Sequence, residues 1–255
     1  MLVSEVMLQQ TQASRVVAPY ARFVTQFPTP AVCATASSGD VVRAWGGLGY
    51  NRRAVFLHRA AQGIASAHDG AVPPSFGDLR ALPGVGEYTA RAVLAFAFER
   101  DVGVVDVNVR RVLSRAVAGR PLASAEAQRL ADALVPAGAG WSHNQAMLDL
   151  GAAHCSAAAA CEPCPLRRHC AWAGAGWPDP DPARSITARP SPFVGSDRQG
   201  RGRLVAELCD RPIAASDLAR MAGWPDDAAR ARRIADALVV DGLARWGEAS
   251  QLLLA

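Results

Sequence analysis

The spacing of apolar and polar residues over the first 170 positions is typical of helices. Val6, Met7, Val16 and Val17 fall roughly on helical spacing, and runs rich in Ala, Leu and Arg recur between short breaks at Gly and Pro. No run there alternates convincingly between apolar and polar residues, as a half-buried strand would. The pattern therefore predicts an all-α domain of about eight to ten helices.

The pattern changes after residue 172. Residues 173–199 hold five prolines and several glycines without an apolar period, which predicts a linker. The remainder predicts three helices and then a short hairpin, over Arg203–Cys209, Ala215–Met221, Asp227–Val240, 242–246 and 251–254. That order is typical of a winged-helix-like unit. The expected domains are 1–172 (helical), 173–199 (linker) and 200–255 (winged-helix-like).

Hydropathy excludes a membrane protein. The longest purely apolar run, Ala92–Phe98, has seven residues, whereas a membrane-spanning helix needs about 20. Glu5 and Gln9–Gln10 stand where an export signal would need an apolar run. We therefore expect a cytoplasmic protein with no membrane partner.

The basic residues limit the chemistry that the protein can perform and indicate which segment would contact a polyanion. All 27 are arginine, so no lysine side chain is available to form a Schiff base with a sugar aldehyde. Residues 1–170 hold 16 arginines against 12 acidic residues, whereas residues 196–255 hold nine of each. A polyanion would therefore contact the first segment. The neutral C-terminal unit fits docking or protein contact as well as DNA binding.

A glycine-rich turn, Leu82–Gly86, separates two predicted helices. Ser75 and Asp78 have the spacing of a capping box, which predicts a short helix that ends at Pro83, and a second helix is expected over Glu87–Phe98. Backbone N–H groups at a glycine turn that opens a helix form an anion site, and such a contact with phosphate is blind to sequence. The alternative is an ordinary helix–turn–helix connection with a glycine cap.

Two acidic residues are candidates for chemistry. Asp106 lies in the run Val104–Arg111, at the predicted start of a helix, where it is also suited to act as the helix N-cap. Glu5 lies near the beginning of the chain, in the segment Ser4–Gln12. A lone glutamate in such a place is ordinarily solvated, so its neighbours must decide its role.

Four of the six cysteines lie within 16 residues, at Cys155, Cys161, Cys164 and Cys170. Disulfides are unexpected in a cytosolic chain. Four thiolates at this spacing suit either a tetrahedral zinc ion or a [4Fe–4S] cluster. His154 and His169 flank the group, so the spacing alone leaves zinc open.

Taken together, five segments resemble the MutY-type adenine DNA glycosylases of the helix-hairpin-helix base-excision superfamily. The segments are Ser4–Gln12, Trp45–Ala54, Leu82–Ala90, Val104–Arg111 and Asn144–Ala152. The resemblance covers about residues 2–172 and implies the helix-hairpin-helix glycosylase fold with an iron–sulfur cluster loop at 155–170. It also implies a structural [4Fe–4S] cluster bound by the four cysteines.

The resemblance implies a role for each matching residue. Glu5 corresponds to the general acid that protonates adenine, Asp106 to the carboxylate that stabilises the sugar cation, and Asn108 to a residue that orients the site. Leu8, Gln9, Gln10 and Thr11 would line the gap in the base pair, and Leu48 and Tyr50 would form the wedge. The remaining expected DNA contacts are Gly84, Gly86, Arg110 and Arg111.

Tyr88 determines which reaction is expected. Family members that also cut the strand have a lysine at this hairpin position, and this chain has Tyr88. The resemblance therefore implies a monofunctional, monomeric glycosylase that acts at the nucleoid on duplex DNA with A:8-oxoguanine or A:G mispairs. The alternatives are a thymine/G mismatch glycosylase, disfavoured by Gln9–Thr11 and Gly47–Tyr50, and a non-catalytic DNA-binding iron–sulfur protein, disfavoured by Glu5 with Asp106.

The chain departs from the family pattern at three places. The first gap between cysteines is five residues instead of six, and about thirty residues that precede the Ser4–Gln12 segment in the family have no counterpart here. Residues 196–255 show no pattern of the Nudix-like domain with which many family members recognise 8-oxoguanine. The sequence therefore leaves open how 8-oxoguanine would be recognised.

Overall fold

A computed structural model of the chain describes residues 1–156, 158–175, 178–180 and 192–255. Its α-helices are α1 (Leu2–Leu8), α2 (Ala13–Gln26), α3 (Pro30–Thr35), α4 (Ser38–Ala44), α5 (Arg52–Ala67), α6 (Phe76–Ala81), α7 (Glu87–Ala97), α8 (Val107–Val112), α9 (Ser124–Leu134), α10 (Gly140–Ala153), α11 (Ala171–Ala175), α12 (Asp197–Asp210), α13 (Leu218–Ala222) and α14 (Ala228–Val240). The strands are β1 (Ile213–Ala214), β2 (Ala244–Trp246) and β3 (Gln251–Leu254). The expected mostly helical fold class is confirmed. No helix in the described ranges combines the length and the apolar character needed to span a membrane.

The described residues fall into two compact units. Unit A consists of residues 1–2, 74–80 and 85–188, and unit B of residues 3–73, 81–84 and 189–255, each taken over its described part. Pro182 and Pro190 of the predicted linker, and Ala157 of the cysteine segment, lie outside the described residues.

The core of unit A joins α8 to α9 and α10. Its buried centre is formed by Val109, Leu113, Leu122, Ala127 and Ala131. A π-helical turn, Leu113–Ala118, continues α8 directly and brings Leu113 into this core. The packing of α10 on α8 requires a glycine, because a Cβ atom at Gly151 would lie 2.8 Å from the Cβ of Asn108.

The C-terminal part of unit B contains three helices and a small antiparallel sheet in the order β1-β3-β2. The predicted hairpin is present as β2 and β3, with Arg245 opposite Leu253. Helix α12 begins earlier than predicted, because the Ser196 hydroxyl accepts a hydrogen bond from the Gln199 backbone N–H and caps the helix. The helix predicted over Ala215–Met221 is divided into a 3-10 turn and α13.

These C-terminal elements pack on α4 and α5 within unit B. The Arg43 Nε atom donates a hydrogen bond to the Cys209 carbonyl at 2.9 Å. A Cβ at Gly39 would lie 2.8 Å from the carbonyl oxygen of Ala255, and one at Gly242 would lie 3.2 Å from Arg59. Unit B therefore combines the helices of residues 3–73 with the C-terminal segment.

The arginines of α14 are paired within the C-terminal segment. Arg230 and Arg233 contact Asp197, at 2.6 and 3.3 Å, and Arg232 contacts Asp236 at 3.3 Å. Each of the three arginines of α14 therefore has a carboxylate partner within the same segment.

Candidate active site

Glu5 lies on α1 and is buried, with 8% of its surface exposed. Its neighbours Val6 and Met7 belong to the core of unit B. Burial disfavours the charged carboxylate and raises the pKa of Glu5 above its usual value. A carboxyl group that holds its proton at higher pH is suited to donate it. Glu5 thus differs from the solvated glutamate that is ordinary near the end of a chain.

Arg53 at the start of α5 organises the end of α1. Its Nη1 atom donates hydrogen bonds to the carbonyls of Val6 and Met7, at 2.8 and 2.9 Å, and to that of Gln9. The last carbonyls of a helix have no partner inside it, so a buried arginine satisfies them. Its Nη2 atom donates to the Thr11 hydroxyl at 3.0 Å and the Gly49 carbonyl at 3.2 Å. One buried cation thus joins the segment after α1 to the loop before α5.

Sequence reasoning did not single out Arg53. The signal that was available is its position on the buried face of α5, which it shares with Leu57, Ala61 and Ile64. An arginine on an apolar helix face must find acceptors, because burying an unpaired charge is costly.

The loop before α5 presents Tyr50 to solvent. Gly46, Gly47 and Gly49 have positive φ angles, and Tyr50 itself has φ 47°. The ring of Tyr50 is 54% exposed, whereas Leu48 is only 4% exposed. Leu48 therefore lies in the core in this structure and Tyr50 is the accessible ring. Gln10, two residues after α1, also has a positive φ of 54°, and such backbone strain in non-glycine residues concentrates at functional sites.

The two glycines of the hairpin differ in their surroundings. Gly84 has φ +78°, and a Cβ there would lie 2.8 Å from the Cβ of Phe56, so the chain itself requires glycine. Gly86 is the N-cap of α7 with φ −83°, and a Cβ there would meet nothing within 4 Å. The capping box is confirmed, since the Asp78 N–H donates to the Ser75 hydroxyl at 3.1 Å.

Asp106 is held by hydrogen bonds on both carboxylate oxygens. It is the N-cap of α8, where Oδ1 accepts from the Val109 N–H at 2.7 Å, and Oδ2 accepts from Asn108 Nδ2 at 2.9 Å. Arg111 Nη2 donates to Asn108 Oδ1 at 2.7 Å, and Arg111 Nε donates to the Cys155 carbonyl at 2.6 Å. A continuous chain of hydrogen bonds therefore connects the carboxylate to the first cysteine.

The segment that leads to Asp106 is also fixed. Asn144 on α10 is buried, accepts from the Val104 N–H at 2.8 Å and donates to the Val102 carbonyl at 2.8 Å. Tyr88 packs in the same region, against the cluster of Ala92, Ala95 and Val104. Unit A thus holds both the hairpin tyrosine and the aspartate on a rigid base.

The predicted site residues divide between the two units. Unit B contains Glu5, Leu8, Gln9, Gln10, Thr11, Leu48, Tyr50 and Gly84. Unit A contains Gly86, Tyr88, Asp106, Asn108, Arg110, Arg111 and the four cysteines.

The four cysteines line one small pocket of about 20 Å³ in unit A, with Val112, Leu150, Leu166 and Trp172 among its walls. Two sulfurs accept hydrogen bonds: Cys155 Sγ from Arg115 Nη1 at 3.6 Å and Cys170 Sγ from the Ala173 N–H at 3.4 Å. Within the described ranges, no three His, Cys, Asp or Glu side chains converge tightly enough for one metal ion. The four thiols therefore lie around one largely apolar pocket.

Comparison with known proteins supports a nucleic-acid repair role. Residues 3–136 match the model of the HhH-GPD superfamily of base excision DNA repair proteins. The chain is 42% identical over 246 residues to an adenine DNA glycosylase of Mycolicibacterium smegmatis and 45% identical over 256 residues to one of Mycobacterium tuberculosis. These alignments cover 95% of this chain and 82% and 80% of the relatives, respectively. A solved structure of a thermostable thymine-DNA glycosylase superposes with a TM-score of 0.64 at 27% identity, over 68% of this chain and 82% of that one.

Proposed function

Because the chain belongs to the HhH-GPD superfamily of base excision DNA repair proteins, we propose that it removes adenine from duplex DNA where adenine faces 8-oxoguanine or guanine. It is a glycosylase by family, and the expected fold and family resemblance are confirmed. The roles of individual residues and the identity of the facing base are the proposal.

The observation that carries the proposal is the buried carboxyl of Glu5, whose pKa is raised by burial. Glu5 donates a proton to a ring nitrogen of adenine, and the bond between the base and C1′ then breaks with its electron pair leaving on the base. Asp106 stabilises the positive charge that develops on the sugar. Water adds to C1′ and gives up a proton, which leaves an abasic site.

The hydrogen bonds of Asp106 hold its carboxylate in place. One oxygen accepts from the Val109 N–H and the other from Asn108 Nδ2. A fixed negative charge costs little reorganisation when the sugar cation forms. Asn108 is thus a positioning residue, and Arg111 acts on Asp106 through it.

The absence of lysine limits the product. No lysine occurs in the sequence and Tyr88 occupies the hairpin position, so no side-chain amine is present to attack C1′ and cut the strand. We propose a monofunctional enzyme in which Gly84 and Gly86 place the hairpin against a phosphate. Arg110 lies on α8, directly after Asp106 and Asn108, and provides a further phosphate contact.

We propose that Cys155, Cys161, Cys164 and Cys170 would bind a [4Fe–4S] cluster, which their placement around one pocket supports. When bound, the cluster supplies structural order and no chemistry at the base. The loop that it would order carries Arg167, which pairs with Glu162 at 2.6 Å, and Arg168. An acid-labile visible absorption band in the purified protein would identify iron–sulfur, and its absence together with stoichiometric zinc would contradict the cluster.

One experiment tests the function. Duplexes carrying A:8-oxoguanine, A:G or T:G are incubated with the purified protein, and released base and strand breaks are scored before and after alkali. We expect adenine release alone, with breaks only after alkali. Thymine release from T:G would favour the mismatch alternative, which the similarity to a 27% identical thymine-DNA glycosylase structure supports. Duplex binding without base release would favour a non-catalytic protein.

We propose that the protein acts as a monomer on chromosomal DNA in the cytoplasm. Sedimentation of the protein with and without a 20-base-pair mispair duplex tests the first part, since a 2:1 complex at one mispair would contradict it.

A further inference from the structure

An open cavity of about 380 Å³ lies beside Tyr50, entirely within unit B. Its lining includes Gln9, Gln10 and Tyr50, for which the family resemblance implies DNA contacts, and also Arg52. Its other side is formed by Arg201 and Asp241, which come from the C-terminal segment. The volume is within the range of small-molecule sites, about 300–1,000 Å³, and admits a purine base.

Arg201 and Asp241 form a fixed donor and acceptor pair. The Asp241 carboxylate accepts from Arg201 Nη2 and lies 3.5 Å from Arg52 Nε. The Arg201 and Asp241 side chains are 27% and 21% exposed, so both are accessible from the cavity. A carboxylate has about four acceptor positions, so Asp241 keeps capacity for a further donor.

The backbone holds this pair in place. Asp241 is the C-cap of α14, and the following Gly242, with φ +72°, lies so close to α5 that an added Cβ would be 3.2 Å from Arg59. The turn that carries Asp241 is therefore seated on the same helix that carries Arg52.

We propose that Arg201 and Asp241 read the purine that faces the excised base and favour 8-oxoguanine over guanine. This inference rests on the proposed function. At its Hoogsteen edge, 8-oxoguanine carries an N–H at N7 and a carbonyl oxygen at C8, whereas guanine carries an acceptor at N7. Asp241 accepts from the N7–H and Arg201 donates to the C8 oxygen. With guanine, the carboxylate faces a lone pair and the arginine loses an acceptor.

The presence of Asp241 argues for a base in this cavity and against a phosphate. A phosphate would gain from Arg52 and Arg201 but would be repelled by the carboxylate between them. A base edge with one donor and one acceptor matches both members of the pair. Tyr50 and Gln10 each have a positive φ and line the same cavity. The expected wedge residue Tyr50 therefore lies at the same cavity as Arg201 and Asp241.

The test uses Asp241→Asn and Arg201→Gln, with Arg220→Gln as the matched control. Arg220 lies in the same segment, is 65% exposed and pairs with Asp217 away from the cavity. Single-turnover adenine release is measured from A:8-oxoguanine and A:G duplexes. A lost base contact is worth about 1–3 kcal/mol, so the preference for 8-oxoguanine should fall about tenfold in D241N and in R201Q. Most of this fall should come from slower adenine release on the A:8-oxoguanine duplex. The preference should stay unchanged in R220Q.

A substrate change tests the same point without altering the protein. Adenine opposite 8-bromoguanine keeps the bulk at C8 but restores the N7 acceptor, and the wild-type protein should process it like A:G. An unchanged preference in both variants, equal weakening on both duplexes, or 8-bromoguanine processed like 8-oxoguanine would each overturn the inference. Failure of the wild-type protein to release adenine from either duplex would instead overturn the proposed function.

Discussion

The two hairpin glycines should respond differently to the same added methyl group. At Gly84 an alanine must adopt φ +78°, which costs about 1–2 kcal/mol. Its Cβ would also lie 2.8 Å from Phe56, and overpacking of this kind costs about 1–3 kcal/mol. Gly84→Ala should therefore destabilise the protein by about 2–5 kcal/mol, which corresponds to a fall in Tm of about 4–20 °C.

At Gly86 the same change should leave the fold intact. The φ angle of −83° suits alanine and the site is open. Alanine is a poorer N-cap than glycine, by up to about 1 kcal/mol, but it lowers the entropy of the unfolded chain, which gains about 0.4–1 kcal/mol. These effects nearly cancel, so Tm should change by no more than about 3 °C.

The effect of Gly86→Ala on DNA binding tests the proposed function of the hairpin. If a phosphate approaches Gly86, the methyl group of Gly86→Ala blocks it and removes hydrogen bonds to a charged acceptor worth about 1.5–3 kcal/mol. Fluorescence anisotropy should show at least about tenfold weaker binding to mispaired and fully paired duplexes alike, because phosphate contacts are blind to sequence. Unchanged affinity with an unchanged Tm would refute the phosphate contact, and a Gly84→Ala protein as stable as the wild type would refute the packing argument.

Three further substitutions test other parts of the site. Glu5→Gln should abolish adenine release and should raise Tm near pH 8. Burial raises the pKa of Glu5, so the wild-type protein loses stability as the pH rises from about 4.5 through that pKa. Thermal unfolding from pH 4 to 8 checks this, and a constant difference would contradict it. Arg53→Met leaves the carbonyls after α1 without donors and should cost at least about 3 kcal/mol in urea unfolding, whereas the exposed Arg59→Met should cost under about 1 kcal/mol. Tyr88→Lys should produce strand breaks without alkali and a covalent adduct trapped by borohydride. If neither product forms, position 88 does not reach the sugar.

Local signals in the sequence predicted the elements that carry the site. The capping box at Ser75 and Asp78, the glycine turn and the cap at Asp106 each depend on residues within about four positions of one another, and each is present. The helical period was long enough to establish the fold class. Element ends were less accurate: α7 ends at Ala97 instead of Phe98, and Ser196 starts α12 inside the expected linker.

Features that depend on distant contacts were not predictable. Strand β1 has two residues and exists only because it pairs with β3. Arg53 acquires its role from acceptors more than forty positions away, and Leu48 is buried although its neighbour Tyr50 is exposed. The roles assigned to the site residues by resemblance stay predictions until the substitutions are made.

The pairing of the α14 arginines has a consequence for how salt acts on DNA binding. An arginine that neutralises a phosphate displaces a condensed counterion, and the number displaced sets the slope of affinity against salt. Arg230, Arg232 and Arg233 already have carboxylate partners within their segment, so a phosphate contact there would exchange one partner for another. Neutralising the arginines of α14 should therefore leave the salt slope of duplex binding unchanged.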